Sequence, residues 1–205
     1  MIAFLLSCLL VYKSYDVVDH YLNYLPYYEK RKLYVQKNVV KSCYLALLSL
    51  AATVYFAVYP WDNATLRLLA ACYVSNDVVG LYMVRLPTST KIHHATSGLF
   101  LLMTYMVDFE TSKAAQLLVY YTYFSALAFP VNLYLGLRLC FELHPDWLVE
   151  FRNFCKWWYL ALCATNWAVQ AYLTSALSLE VGVYTTMILL IVMDDVVLLK
   201  WLFQL

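Results

Sequence analysis

The sequence predicts an all-α, polytopic membrane protein of about seven transmembrane helices, and three observations carry that reading. Hydrophobic residues make up 64% of the 205 and charged residues only 13%, whereas a soluble domain is about half apolar and about a quarter charged. The mean hydropathy is +0.65. The apolar residues also fall into runs close to the roughly 20 residues that a helix needs to cross a bilayer, and the 20 tyrosines and 6 tryptophans suit two interfacial belts.

Residues 2–25 open the chain as a first helix. They lack the basic start and small-residue cleavage site of a secretory signal, so the segment is expected to be retained, amphipathic after Lys13 and peripheral to the rest. The break "LPYYEKRKLYVQK" leads into a second span, 38–59, and "YPWDN" into a third, 63–86. "RLPTSTK" precedes a fourth at 90–107, and "DFETSK" a fifth at 113–141. Pro26, Pro60, Pro87 and Pro145 mark breaks, whereas Pro130 lies inside the long fifth span and should kink it. "ELHPDWLVEFRN" leads to a sixth span, 153–177, and "SLEVG" to a seventh, 181–203. Loops this tight leave no room for a second domain, so residues 1–205 read as one unit with its core at 37–203.

Charge sets orientation and excludes some partners. Lys30, Arg31, Lys32, Lys37, Lys41, Arg85, Lys91, Arg138, Arg152, Lys156 and Lys200 fall on one side, which is 11 of the 14 basic residues. The positive-inside rule makes that side cytoplasmic, with the N-terminus luminal and the C-terminus cytoplasmic. The sequon Asn63-Ala64-Thr65 then lies on the opposite face, in a very short loop. A net charge of +1, with no basic and aromatic patch, argues against nucleic acid. The 6 cysteines form no C-x-x-C and read as small buried hydrophobes. No metal and no bound cofactor are expected.

An ionisable group inside a span costs several kcal/mol and is a functional-site candidate by default. At about 1.5 Å rise per residue, Asp77, Asn132, Asp194 and Asp195 all lie roughly 13 Å from the cytoplasmic ends of their spans. His93 and His94 lie about 5–7 Å inside the fourth. Four helices thus bring polar groups to one layer, as a shared cytoplasm-facing cavity requires. His93 shares a face with Thr96, Ser97, Phe100 and Thr104. Adjacent residues diverge by about 100°, so one imidazole can enter a cavity while its neighbour braces it. Asp77 shares a face with Tyr73 and with Gly80, which permits close helix contact; Asn76 lies beside it. A near-neutral imidazole enters lipid uncharged yet acts as base or nucleophile, and Asp77 or Asp194 would stabilise its imidazolium.

Blander readings stand beside these. The histidines also suit anchoring of a span end to headgroups. Asp77 also suits a structural pair with Arg67, Arg85 or a tyrosine, and the Asp194–Asp195 pair suits Lys200. Asn132 beside Pro130 suits repair of the kink. Asn166 and Gln170 suit interhelical hydrogen bonding.

The stretch "YVSNDVVGLYMVRLPTSTKIHHATSGLF" resembles the centre of the TLC (TRAM–LAG1–CLN8) domain, in which an aspartate-bearing span leads through a short turn to a His-His pair. "YYTYFSALAFPVNLYLGLRL" is similar to that family's later stretch, and Lys37 and Lys41 suit its pattern. The resemblance implies a TLC-type helical bundle, lipid metabolism and residence in the endoplasmic reticulum or a related endomembrane. Ceramide synthases of this family acylate sphingoid bases from acyl-CoA, which implies acyl transfer at His93 and His94, with Asp77 assisting. Tyr73, Asn76, Thr96, Ser97, Asn132, Asp194 and Asp195 are expected to line the cavity. Membrane lipids are the expected partners, with acyl-CoA as co-substrate. This chain departs from the synthases in the fifth span, where "AAQLLVYYTYFSALAF" holds no histidine or carboxylate. Two functions therefore stay open: a lipid acyltransferase, and a non-catalytic lipid-binding protein that affects membrane composition or cargo traffic. A zinc hydrolase would need histidines at ligand spacing on several spans, and a retinal protein a lysine midway along the seventh.

Overall fold

Ile2–Leu22 form the first helix, α1, which buries only the stripe Ser7, Val11 and Tyr15. That spacing of four residues places one side chain per turn against the protein, and the other faces stay open. Ser7 Oγ meets Ser75 Oγ at 2.8 Å. At the end of α1, Asp19 accepts hydrogen bonds from Tyr28 Oη (3.0 Å) and Lys32 Nζ (2.8 Å). These contacts fold the connecting turn back onto the helix.

The computed structural model describes residues 2–59, 61–174 and 179–204, which are helical with connecting turns and contain no strand. Pro60 and residues 175–178, which include the end of the sixth expected span, lie outside the described residues. After α1 come α2 (Lys32–Val58), α3 (Asn63–Met83), α4 (Thr88–Thr104), α5 (Lys113–Leu127), α6 (Phe129–Leu137), α7 (Asp146–Leu173) and α8 (Leu179–Gln204). Short 3₁₀ turns precede α2 and follow α6. The expected kink is present: α5 and α6 meet at 41° beside Pro130. The proline ring cannot continue the α-helical hydrogen-bond ladder, and side chains of neighbouring helices bond to carbonyls beside the bend. Trp158 Nε1 donates to Leu127 O and Ser42 Oγ to Phe129 O, both at 2.8 Å.

Two elements begin earlier than their hydropathy indicates. α2 starts at Lys32 rather than 38, and α7 at Asp146, directly after Pro145. Both early turns are charged, so an apolar-run criterion passes over them.

The helices pack as a closed ring. α2 contacts α3, α3 contacts α4, α4 contacts α8, α8 contacts α7, and α7 contacts the bent α5–α6 pair, which returns to α2. α1 lies outside, against α2 and α3. Apolar clusters sit between neighbours rather than at one centre. One joins α6, α7 and α8 around Tyr134, Leu148 and Leu202; another joins α4, α5 and α8 around Phe100, Leu117 and Tyr184. The helix junction is tightest at Gly136, where an added Cβ would lie 3.1 Å from Val39 Cγ2 and 3.3 Å from the Val35 carbonyl oxygen. Gln170 on α7 donates to Leu117 O and accepts from Tyr184 Oη, tying three helices together.

Among the described residues, two helical stretches, Tyr28–Val58 and Val181–Gln204, are long and apolar enough to cross a membrane. The bent α5–α6 pair makes a third if it counts as one span. Their outward faces carry large exposed apolar side chains, including Leu47, Leu50, Val54, Leu189, Met193 and Val197. A water-facing surface rarely gathers so many. α1, α3, α4 and α7 fall short of the same criterion, so two or three of the seven expected spans meet it.

At the turns, satisfied helix ends hold the frame. Asp62 caps α3 by accepting from the Thr65 amide at 2.8 Å and from Tyr55 Oη at 2.7 Å. The Thr65 amide, with Tyr55, pulls its carboxyl down to about 2. Asn63 donates to Asp108 Oδ1 (2.8 Å) and accepts from the Phe109 amide (2.9 Å). Arg67 donates to the Thr104 and Val107 carbonyls at 2.9 and 3.0 Å, closing the C-terminus of α4.

Candidate functional site

The two histidines lie in the second turn of α4, and the angular step between adjacent helical residues sends their rings to different neighbours. His94 turns to α3, where its Nδ1 lies 2.7 Å from Asp77 Oδ1. His93 turns to α8, where its Nδ1 lies 3.4 Å from Asp194 Oδ2. Each imidazole therefore faces its own carboxylate, one on α3 and the other on α8. The ring centroids are 5.4 Å apart and the planes inclined by 41°. His94 is 2% exposed; His93 is the more open of the two.

Asp77 is fully buried and meets a third group. Lys41 Nζ on α2 donates to its Oδ1 at 2.5 Å. The partner is thus neither Arg67, which is committed to the end of α4, nor Arg85. The early start of α2 explains this: Lys37 and Lys41 occupy its second and third turns and face inward. The stem of Lys37 crosses α3 at Gly80, where an added Cβ would lie 3.2 Å from Lys37 Cε. The second carboxylate oxygen of Asp77 is buried with no hydrogen-bond partner among the described residues.

On α8, Asp194 accepts from Thr90 Oγ1 at 3.2 Å in addition to facing His93. Asp195 turns the other way and accepts from Tyr121 Oη of α5 and Tyr159 Oη of α7, the latter at 2.8 Å. Lys200 pairs with neither. The two adjacent aspartates thus repeat the divergence of the two adjacent histidines.

These groups enclose a cavity of about 310 Å³, lined by Lys37, Lys41, Tyr73, His93, His94, Asn132, Arg138, Tyr159, Asp194 and Asp195, among others. A second, apolar hollow of about 80 Å³ is lined by side chains such as Leu48, Phe56, Leu66, Phe100, Leu118 and Ile191. Tyr73 and His93 belong to both walls. The polar chamber and the greasy slot therefore adjoin at one imidazole and one phenol.

Of the residues singled out from sequence, His93, His94, Tyr73, Asn132, Asp194 and Asp195 line the polar cavity. Asp77 stands behind His94. Ser97 lines the apolar hollow and donates to His93 O at 3.1 Å. Asn76 and Thr96 are buried and line neither hollow. Asn132 faces the cavity, while Trp158 and Ser42 bond to carbonyls beside the kink. Lys37, Lys41, Arg138, Tyr121 and Tyr159 were not among the candidates, although the buried polar run on α2 (Gln36, Lys37, Asn38, Lys41, Ser42) is a signal once the helix start is known.

The described residues contain no group of three or more His, Cys, Asp or Glu arranged to hold a metal ion, and all six cysteines are free. The arrangement offers two imidazoles, each with a carboxylate opposite Nδ1. Neither Nδ1 makes a hydrogen bond among the described residues, so both are approaches at ion-pair distance. Comparison with family models, characterised proteins and solved structures returns no match to this chain.

Proposed function

We propose that the chain is a TLC-type, roughly seven-span protein of the endoplasmic reticulum or a related endomembrane, and that it transfers an acyl group from acyl-CoA to an amine or hydroxyl lipid. The observation that carries this reading is the position of His93, at the junction of a polar chamber and an apolar slot with Asp194 opposite its Nδ1. The acyl chain would lie in the slot and the acceptor's head in the chamber. The Nε2 lone pair of His93 adds to the thioester carbonyl carbon, and the C–S bond breaks with the pair leaving on sulfur. The acceptor then attacks the acyl-imidazole carbonyl and the C–N bond to His93 breaks. The acceptor's proton passes through His94 to the thiolate, so the products are acylated lipid and free CoA. Tyr73 at the junction suits donation to the carbonyl oxygen, where charge develops. Asp194 on α8 supplies opposite His93 a carboxylate that the fifth span lacks, which supports chemistry there.

The absence of histidine and carboxylate from α5 favours the second reading, lipid binding without transfer. One experiment separates them. Purified protein incubated with acyl-CoA is read by intact mass for an acyl adduct, and by lipid analysis for product, alongside His93→Ala and His94→Ala. Transfer should fall by about 10²-fold or more in His93→Ala. Equal transfer by the double variant, or none by the wild type, removes the enzymatic reading.

A further inference from the structure

The polar cavity holds more positive side chains than its acidic ones engage. Lys41 is matched by Asp77. Asp194 faces His93 and Thr90, and Asp195 is held by two phenols. Lys37 and Arg138 line the same cavity, and neither has a carboxylate within ion-pair distance among the described residues. Lys37 is only 6% exposed. Its stem lies across Gly80, and no hydrogen bond engages its ammonium among the described residues. The Arg138 guanidinium rests 4.5 Å over the Trp201 ring, and its Nε is buried without a hydrogen-bond partner.

A buried cation without a counter-ion is costly. Lys37 on α2 and the partly buried Arg138, in the 3₁₀ turn that follows α6, line one cavity and would be offset by an anion between them. The stems are also held in place: Gly80 makes room for Lys37, and the indole of Trp201 carries Arg138. Ordering entropy is thereby already lost before a ligand arrives. Asp194 and Asp195 belong to α8, and their own partners hold them.

We propose that Lys37 and Arg138 form an anion-binding subsite for a phosphate group of the ligand, set beside the His93–His94 site. Phosphate suits both donors: the guanidinium offers a planar fork and the ammonium a point charge. The phosphate can belong to the head of a lysophospholipid or to coenzyme A, and in either case its oxygens sit between the two cations while the chain runs past His93 into the apolar slot. The subsite names a substrate class for the function proposed above, yet binding here does not depend on transfer.

The test uses the full chain in a phosphate-free maltoside detergent, with binding read by tryptophan fluorescence. Two matched pairs of probes are compared: oleoyl lysophosphatidate against monooleoylglycerol, and oleoyl-CoA against oleoyl-N-acetylcysteamine. The phosphate-bearing member of at least one pair should bind more tightly, by roughly 10- to 100-fold. Lys37→Met and Arg138→Met should each erase most of that advantage, and Lys37→Arg should keep it. Lys13→Met, at an exposed site on α1, should change nothing. A preference confined to the first pair assigns the phosphate to a lipid head, and one confined to the second assigns it to CoA. His93→Ala/His94→Ala should retain the preference while losing transfer, so the subsite and the chemistry fail separately. Equal binding within both pairs by the wild type overturns the proposal without any variant, as does a preference that survives Lys37→Met and Arg138→Met together.

Discussion

Replacing Lys41 with methionine keeps the stem of the side chain and removes its charge from beside a fully buried carboxylate. At the 2.5 Å separation of Lys41 Nζ and Asp77 Oδ1, the attraction at an effective dielectric of about 20 is roughly 7 kcal/mol. Desolvating the two ions costs several kcal/mol each, so the pair as a whole contributes little net stability. Breaking it from one side is a different matter. Lys41→Met leaves Asp77 shut off from water with only the His94 imidazole beside it, which is expected to cost about 3–5 kcal/mol. Lys41→Met combined with Asp77→Asn removes both charges and should recover more than half of that loss. Thermal unfolding of the purified protein in detergent, followed by tryptophan fluorescence, measures all three proteins and Asp77→Asn alone. A double variant no more stable than Lys41→Met would show that the two groups are not coupled, and the reasoning about this site would fail.

Three further outcomes are expected. Gly136→Ala places a methyl 3.1 Å from Val39 Cγ2 and 3.3 Å from a backbone oxygen of α2, so it should cost about 1–3 kcal/mol; an unchanged unfolding midpoint would contradict the close approach of α2 and α6. Asn63 has both ends of its amide engaged with the turn at Asp108 and Phe109, so the sequon should stay unmodified in a glycosylating host, as judged by no mobility change on glycosidase treatment. Asp62 titrates lower in the folded protein than the ordinary carboxylate value near 4. Its cap therefore contributes fully above about pH 4 and is lost as pH falls towards 2. The gap in Tm between wild type and Asp62→Ala should narrow over that interval, and a gap indifferent to pH would show that the carboxylate charge is not what caps α3.

The helical class and the order of the helices were legible because apolar runs and prolines are local properties, although only two or three of the seven expected spans are long and apolar enough to cross a membrane. Pro130 bends the chain wherever it sits, since its ring blocks the ladder regardless of neighbours. The starts of α2 and α7 were not legible, because their first turns are charged and their helicity comes from packing rather than from an apolar run. That shift of a few residues matters: it turns Lys37 and Lys41 from charges at a membrane edge into buried members of the site. Among the candidate residues, depth along each helix was readable, which is why six of them meet in one cavity. Azimuth was less so, and Asn76 and Thr96, at suitable depths, turn elsewhere.

Composition and the spacing of apolar runs determined by themselves that this chain is helical and rich in lipid-compatible surface, because both follow from how many residues of each kind stand in a row. Which carboxylate faces which imidazole was decided only by the closed ring. His93 and His94 are neighbours in sequence, as are Asp194 and Asp195, yet the helical step parts each pair. Partners for them come from α3, α4, α5, α7 and α8 only because those helices pack around a common hollow.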